Sequence, residues 1–130
     1  LVAADPNDFI ALNNLSFILS EHLKQPQEAV KYAERALAVA PADPRQKGNV
    51  LDTLGWAQYK ADRFDEAKLT LSDSVRTEPT MHNQYHLAVV LMKKEMVREA
   101  QMHLRNVRKL AEKATDTDMI RKVDELLDQK

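Results

Sequence analysis

Two histidines four positions apart, His82 and His86, are the residues of this chain that come nearest to a chemical site. On a helix, residues four apart share one face, so both imidazoles could bind one metal ion if Asp52 added a carboxylate from a neighbouring helix. The helix of a zinc protease also carries a glutamate between its two histidines, and this pair has none. We therefore expect the two histidines to be polar surface side chains, and we predict no metal site and no cofactor.

The chain lacks the residues that other common kinds of catalytic or binding site require. The chain has no cysteine and only two glycines, which excludes thiolate catalysis and a glycine-rich phosphate loop. Its serines have no histidine and acid at catalytic spacing. A formal net charge of −1 gives no electrostatic reason to expect a nucleic acid partner, and no apolar run approaches the roughly 18 residues of a membrane span. The sequence thus predicts a protein that is not an enzyme, does not bind nucleic acid and does not insert into a membrane.

An internal repeat predicts the elements that position these side chains. A leucine followed by a small residue, with an alanine about a dozen positions later, occurs three times: Leu15-Ser16 with Ala29, Leu54-Gly55 with Ala67, and Leu87-Ala88 with Ala100. From Gly55 to Ala88 and from Ala67 to Ala100 the spacing is 33 residues. A period of this length with helical patterning indicates a solenoid of stacked helical hairpins, which usually presents a surface to a partner.

The middle unit resembles the tetratricopeptide repeat. The positions that carry the resemblance are Leu51, Leu54, Gly55, Tyr59, Phe64, Ala67, Leu71 and Pro79. The resemblance covers nearly the whole chain and implies an all-α, right-handed solenoid of helical hairpins. In each hairpin, small residues let helix A and helix B approach closely, and Pro79 ends the second helix B because it lacks an amide hydrogen.

We expect one domain of three repeats and a capping helix. The predicted boundaries are the tail of a preceding repeat at 1–8, repeat 1 at 9–41, a linker at 42–47, repeat 2 at 48–80, repeat 3 at 81–113, and the capping helix at 114–130. The first hairpin has one extra residue in its turn, near Lys24-Gln25-Pro26. The chain begins without methionine, and we expect it to be a fragment of a longer, bacterial-type array.

The resemblance also implies a function and a surface. Members of the family bind a protein or peptide in a concave groove lined by the A helices. Carried over unit by unit, that groove comprises Asn13, Asn14, Phe17, Ser20 and Glu21; Asn49, Asp52, Thr53, Trp56, Tyr59 and Lys60; and His82, Tyr85, His86, Val89, Met92 and Lys93. Phe17, Trp56 and Val89 are equivalent in successive units. Two interpretations of Trp56 and of Phe17 stay open, as groove side chains or as packing between adjacent hairpins.

Two further points concern the partner. Family members that bind the C-terminal carboxylate of chaperones use a clamp of lysine, asparagine and arginine on three consecutive A helices. The equivalent positions here are Asn13, Phe17, Thr53, His82 and His86, without a permanent cation. An acidic chaperone tail is thus disfavoured. The alternative function is self-association, with a homodimer through the N-terminal hairpin that carries Ile10 and Ile18. The segment from Leu51 to Trp56 resembles bacterial repeat proteins of envelope and polysaccharide-export systems, so an envelope-associated or a cytoplasmic location stays open.

Overall fold

The computed structural model describes residues 8–128, and these form seven α-helices without a strand. In chain order they are α1 (Phe9–Glu21), α2 (Pro26–Val39), α3 (Pro44–Lys60), α4 (Phe64–Thr77), α5 (Met81–Lys93), α6 (Val97–Ala114) and α7 (Thr117–Leu127). Successive helices pack in antiparallel hairpins, α1 with α2, α3 with α4 and α5 with α6. The predicted all-α fold is confirmed. Apart from Asp8, the expected tail of a preceding repeat lies outside the described residues.

Side chains satisfy free amides at the start of four of the seven helices. The capping residues are Asp8, Asp43, Thr80 and Asp116. At α3 the Asp43 carboxylate accepts from the amide of Gln46 at 3.1 Å, and Pro44 takes the first helical position, where a missing amide hydrogen does no harm. The linker is therefore shorter than the predicted 42–47, because its last four residues already form the first turn of α3.

Within each hairpin the chain turns through a residue with a left-handed backbone. These residues are Lys24, Asp62 and Glu95, with φ of 52°, 63° and 62°. In the second hairpin, the amide of Arg63 donates to the carbonyl of Gln58, five positions back, at 2.8 Å. The corresponding bond of the first hairpin, from Gln25 to Leu19, spans six positions. That longer span accommodates the extra residue that the sequence predicts for this turn.

The two helices of a hairpin touch where a side chain is small or absent. A Cβ added at Gly55 would lie 2.5 Å from Cγ of Leu71, so α3 and α4 can approach this closely only with glycine at position 55. Leu71 is fully buried there. In the first hairpin the equivalent contact is polar, and the hydroxyl of Ser16 donates to the carbonyl of Ala29 at 2.7 Å.

Buried hydrogen bonds join the second hairpin to the third. The hydroxyl of Ser74, on α4, donates to the carbonyl of Gly48 on α3 at 2.7 Å. The side-chain amide of Asn83, on α5, donates to the same hydroxyl at 3.0 Å and to the carbonyl of Glu78 at 2.8 Å. Ser74 and Asn83 are almost completely buried, so these bonds satisfy polar groups that would otherwise be costly, and they fix the register of α5.

The last helix, α7, packs against α6. Met119 and Val123 are buried in the contact, and Arg108 of α6 donates two hydrogen bonds to the carboxylate of Asp124, at 2.8 and 3.2 Å. The third unit has no closing proline, and α6 continues past Ala111 to Ala114. The helix expected within residues 114–130 consequently begins at Thr117.

The close approach at Gly55 leads to a stability prediction. We expect Gly55→Ala to lower the free energy of unfolding by up to about 2 kcal/mol. Alanine gains about 1 kcal/mol of helix propensity, but its methyl group forces Leu71 out of position, at an overpacking cost of typically 1–3 kcal/mol. Urea denaturation followed by circular dichroism measures the change.

Gly48→Ala, in the same helix, is the matched control. A Cβ there would lie 3.1 Å from Cβ of Glu78, the residue that ends α4, so a small shift of a helix terminus relieves the contact. We expect this variant to lose less stability than Gly55→Ala. A stabilised Gly55→Ala variant would contradict the close packing of α3 on α4.

Candidate functional site

The first helices of the three hairpins, α1, α3 and α5, form one face of the solenoid. α1 packs against α3, and α3 packs against α5, so their outward side chains lie next to one another. We call this surface the concave face. Because Trp56 and Val89 are separated by one repeat of 33 residues, they occupy equivalent positions on it. The candidate site is built from this face.

Trp56 is the side chain with the most varied contacts on the concave face. Its ring stacks on His86 of α5 at a centroid distance of 4.2 Å and on Tyr59 of its own helix at 4.9 Å. The indole N–H donates to the carboxylate of Glu21 on α1, and the ammonium of Lys60 lies 5.3 Å from the ring centroid. Trp56 is half-buried, and it connects α1, α3 and α5. It packs between hairpins and lines the concave face, so both interpretations of this residue describe part of its environment.

His86 is held by a carboxylate on the neighbouring helix. Its Nδ1 lies 2.7 Å from Oδ1 of Asp52, and the two side chains are 20% and 14% exposed. Asp52 thereby fixes the plane of the imidazole that stacks on Trp56. His82 is exposed and has no such contact with any residue from 8 to 128. Over residues 8–128, no three histidine, cysteine or acidic side chains are grouped so that they could hold a metal ion.

A pocket of about 450 Å³ opens beside Trp56. Ten side chains line it: Phe17, Ser20, Glu21, Asn49, Asp52, Thr53, Trp56, His82, His86 and Lys122. A second depression, of about 410 Å³, adjoins it and shares three of these residues, Asn49, Asp52 and His82. It continues towards the start of the A helices, past Phe9 and Arg45. Together they form an elongated groove across the concave face.

Lys122 is the one lining residue of the larger pocket that the sequence analysis missed. It belongs to α7, and it follows Val89 by the same 33 residues that separate Val89 from Trp56. α7 therefore occupies the place of a fourth A helix as well as covering the last hairpin. Continuing the repeat by one more unit would have identified this residue.

The other predicted groove residues lie outside the larger pocket. They are Asn13, Asn14, Tyr59, Lys60, Tyr85, Val89, Met92 and Lys93. Tyr59, Tyr85 and Met92 pack against the core of the second and third hairpins, and burial raises the pKa of both tyrosines above its ordinary value. Lys93 lies over the ring of Phe64, at 5.5 Å, near the turn of the second hairpin.

A comparison with known families decides the classification. Residues 7–77, more than half of the chain, match the tetratricopeptide repeat. The chain belongs to the tetratricopeptide repeat family. Proteins of this family generally bind other proteins, which agrees with a groove formed by the A helices. No helix of the described residues has the length and apolar character needed to cross a membrane.

One bacterial protein is similar in sequence, and two solved structures are similar in fold. A tetratricopeptide repeat-containing protein of Pseudomonas aeruginosa is 26% identical over 87 residues, which is 67% of this chain and 14% of that protein. Among solved structures, a MamA RS-1 ArsTM double mutant has a TM-score of 0.71 and 25% identity, over 88% of this chain and 62% of the other. PilW, a widely conserved type IV pilus biogenesis factor, has a TM-score of 0.75 and 22% identity, over 97% of this chain and 58% of PilW. The chain thus spans less than two thirds of each relative.

The stack between Trp56 and His86 gives a prediction with a control in the same helix. We expect His86→Ala to lower the free energy of unfolding by about 1–3 kcal/mol, because it removes an aromatic contact and leaves the half-buried Asp52 without its partner. It should also change the fluorescence of Trp56, the only tryptophan of the chain. Chemical denaturation and an emission spectrum measure both effects.

His82→Ala is the control, since His82 lies one turn earlier on α5 and is exposed. We expect a stability change within about 0.5 kcal/mol and an unaltered emission spectrum. Equal effects of the two substitutions would contradict the Asp52, His86 and Trp56 arrangement.

Proposed function

We propose that this chain is a protein-binding scaffold whose concave groove holds an extended segment of a partner protein. The observation that carries the proposal is the pair of aromatic rings at the groove. Phe17 is 46% exposed and lines the same pocket as the half-buried Trp56. Aromatic side chains that are held rigidly and only partly buried are typical anchors of protein interfaces.

The shape of the groove supports an extended segment as its occupant. The two depressions meet at Asn49, Asp52 and His82, and one lies nearer the start of the A helices than the other, so a ligand that fills both must run along the A helices. The amide of Asn49 is exposed there and can bond a peptide backbone. An apolar side chain of the same segment would contact the rings of Phe17 and Trp56.

The test is a comparison of two substitutions on opposite sides of the solenoid. A random-peptide library is selected on the chain, and the affinity of the recovered peptides is measured by calorimetry. We expect Trp56→Ala to weaken binding by about 1–4 kcal/mol, or roughly 5- to 1,000-fold in Kd, because it truncates a central anchor.

Leu69→Ala is the matched control. Leu69 is 69% exposed on α4 and does not line either depression, so its truncation should leave the affinity unchanged. The circular dichroism and melting temperature of both variants must show that they are folded. Peptides that bind Trp56→Ala as tightly as the unaltered chain would overturn the proposed groove.

A second candidate function is self-association through the N-terminal hairpin. Three aliphatic side chains are largely exposed on and just after α1: Ile10 at 56%, Ile18 at 42% and Leu23 at 54%. An apolar surface of this kind favours pairing with a second copy. Sedimentation equilibrium at several concentrations tests it, because Ile18→Lys should convert a dimer to a monomer. A chain that is monomeric at every concentration would exclude this candidate.

A further inference from the structure

The groove has carboxylates that its own side chains satisfy only in part. Oε1 of Glu21 accepts the indole N–H of Trp56, and Oδ1 of Asp52 bonds Nδ1 of His86. For the second oxygen of each carboxylate, Oε2 and Oδ2, no donor or cation from residues 8–128 is within bonding distance. A carboxylate can accept several hydrogen bonds, so each group retains capacity for a donor from outside the chain.

We propose that the groove selects a partner segment by an arginine, whose guanidinium group bonds Glu21 and Asp52 beside the aromatic rings. This inference rests on the proposed function, since it names the side chain that the groove recognises. A guanidinium group has five N–H donors in one plane, enough to bond two carboxylates on adjacent helices. Its flat faces also stack on aromatic rings, and the exposed Phe17 lines the same pocket.

The charges around the pocket favour a cation over an anion. Glu21 and Asp52 lie on the walls from α1 and α3, whereas Lys122 of α7 is the one permanently charged base among the lining residues of the larger pocket. That ammonium group is 3.4 Å from the carboxylate of Asp118 on its own helix, which offsets part of its charge. An acidic segment in the larger pocket would therefore meet two carboxylates and one partly neutralised base, whereas Arg45 lines only the adjoining depression.

Partial burial strengthens the expected contact. The side chain of Asp52 is only 14% exposed, so water screens its charge less than that of a surface aspartate. The hydrogen bonds from Trp56 and His86 also hold both carboxylates in place before a ligand arrives. The two carboxylates therefore lose little conformational freedom when a donor binds to them, which favours both affinity and selectivity.

Lys60 restricts the direction from which the cation of a partner can approach Trp56. Lys60 already lies over the Trp56 ring, at 5.3 Å from its centroid, and it is exposed. A second cation on that ring face would be repelled. The guanidinium group is therefore expected to bind inside the pocket. There it can reach the free oxygens of Glu21 and Asp52 and the ring of Phe17.

The experiment uses peptides selected from the random library, each synthesised with arginine, citrulline or lysine at the same position. Citrulline keeps the shape of arginine but has a neutral urea group, so the comparison isolates the charge and the lost donors. Binding to the whole chain is followed by calorimetry and by the fluorescence of Trp56. We expect selected peptides to contain arginine, and citrulline to weaken their binding by about tenfold or more.

Isosteric substitutions in the protein, combined with the peptide substitutions, form a double-mutant cycle. Asp52→Asn and Glu21→Gln retain a side-chain oxygen to accept from His86 and Trp56, so the fold should be preserved. In either variant we expect the difference between arginine and citrulline peptides to shrink to about threefold, because one of the two carboxylates remains. Glu66→Gln, on the exposed start of α4, is the charge-matched control and should leave the full difference in place.

Each other outcome overturns part of the proposal. Two results would refute arginine recognition and leave the proposed function standing. In the first, the selected peptides need Trp56 but carry no arginine. In the second, replacing arginine by citrulline weakens binding equally in all protein variants. Lysine as good as arginine would refute the role of the planar guanidinium group. A preference for acidic peptides that Lys122→Ala abolishes would assign an anionic partner instead. If no peptide depends on Trp56, the proposed function fails, and arginine recognition fails with it.

Discussion

The missing side chain at Gly55 sets the distance between α3 and α4, and the rest of the central hairpin depends on that distance. Leu71 fills the space that a Cβ would occupy, so the two helices pack closely along their buried sides. Successive residues of a helix point about 100° apart. Because Gly55 faces α4, the next residue, Trp56, is directed away from that helix and reaches the concave face. A packing requirement and a candidate binding anchor are thus adjacent in the sequence.

The site also depends on how hairpins stack on one another. The hydroxyl of Ser74 and the amide of Asn83 fix α5 against α3 and α4 through buried hydrogen bonds. That register puts His86 over the ring of Trp56 and within 2.7 Å of Asp52. Polar groups therefore act twice in this molecule, first to align the hairpins and then to orient the side chains that border the groove.

The sequence predicts the repeats well because their signals are periodic. Leucines and small residues recur in register, so the hairpins and the equivalence of Trp56 with Val89 follow from their spacing. The equivalence of Phe17 with Trp56 follows from the motif, because each residue comes directly after the leucine and small residue of its unit. Contacts between side chains of different hairpins have no such signal. The bonds of Ser74 and Asn83, and the contact of Trp56 with Glu21, join residues far apart in sequence whose types are common elsewhere. Lys122 escapes prediction for another reason, because the sequence predicts α7 only as a capping helix and not as one more A helix.

The proposed function requires that the concave face, and not another surface, receives the partner. The most direct measurement is a map of backbone and side-chain amide shifts by nuclear magnetic resonance during titration with a selected peptide. We expect the largest changes at the indole N–H of Trp56 and at the amides around Phe17, Asp52 and His86. Residues around Leu69 and Met102, which are exposed on the second helices, should change little. Large changes at those two positions, with the indole N–H of Trp56 unmoved, would contradict a binding role for the concave face.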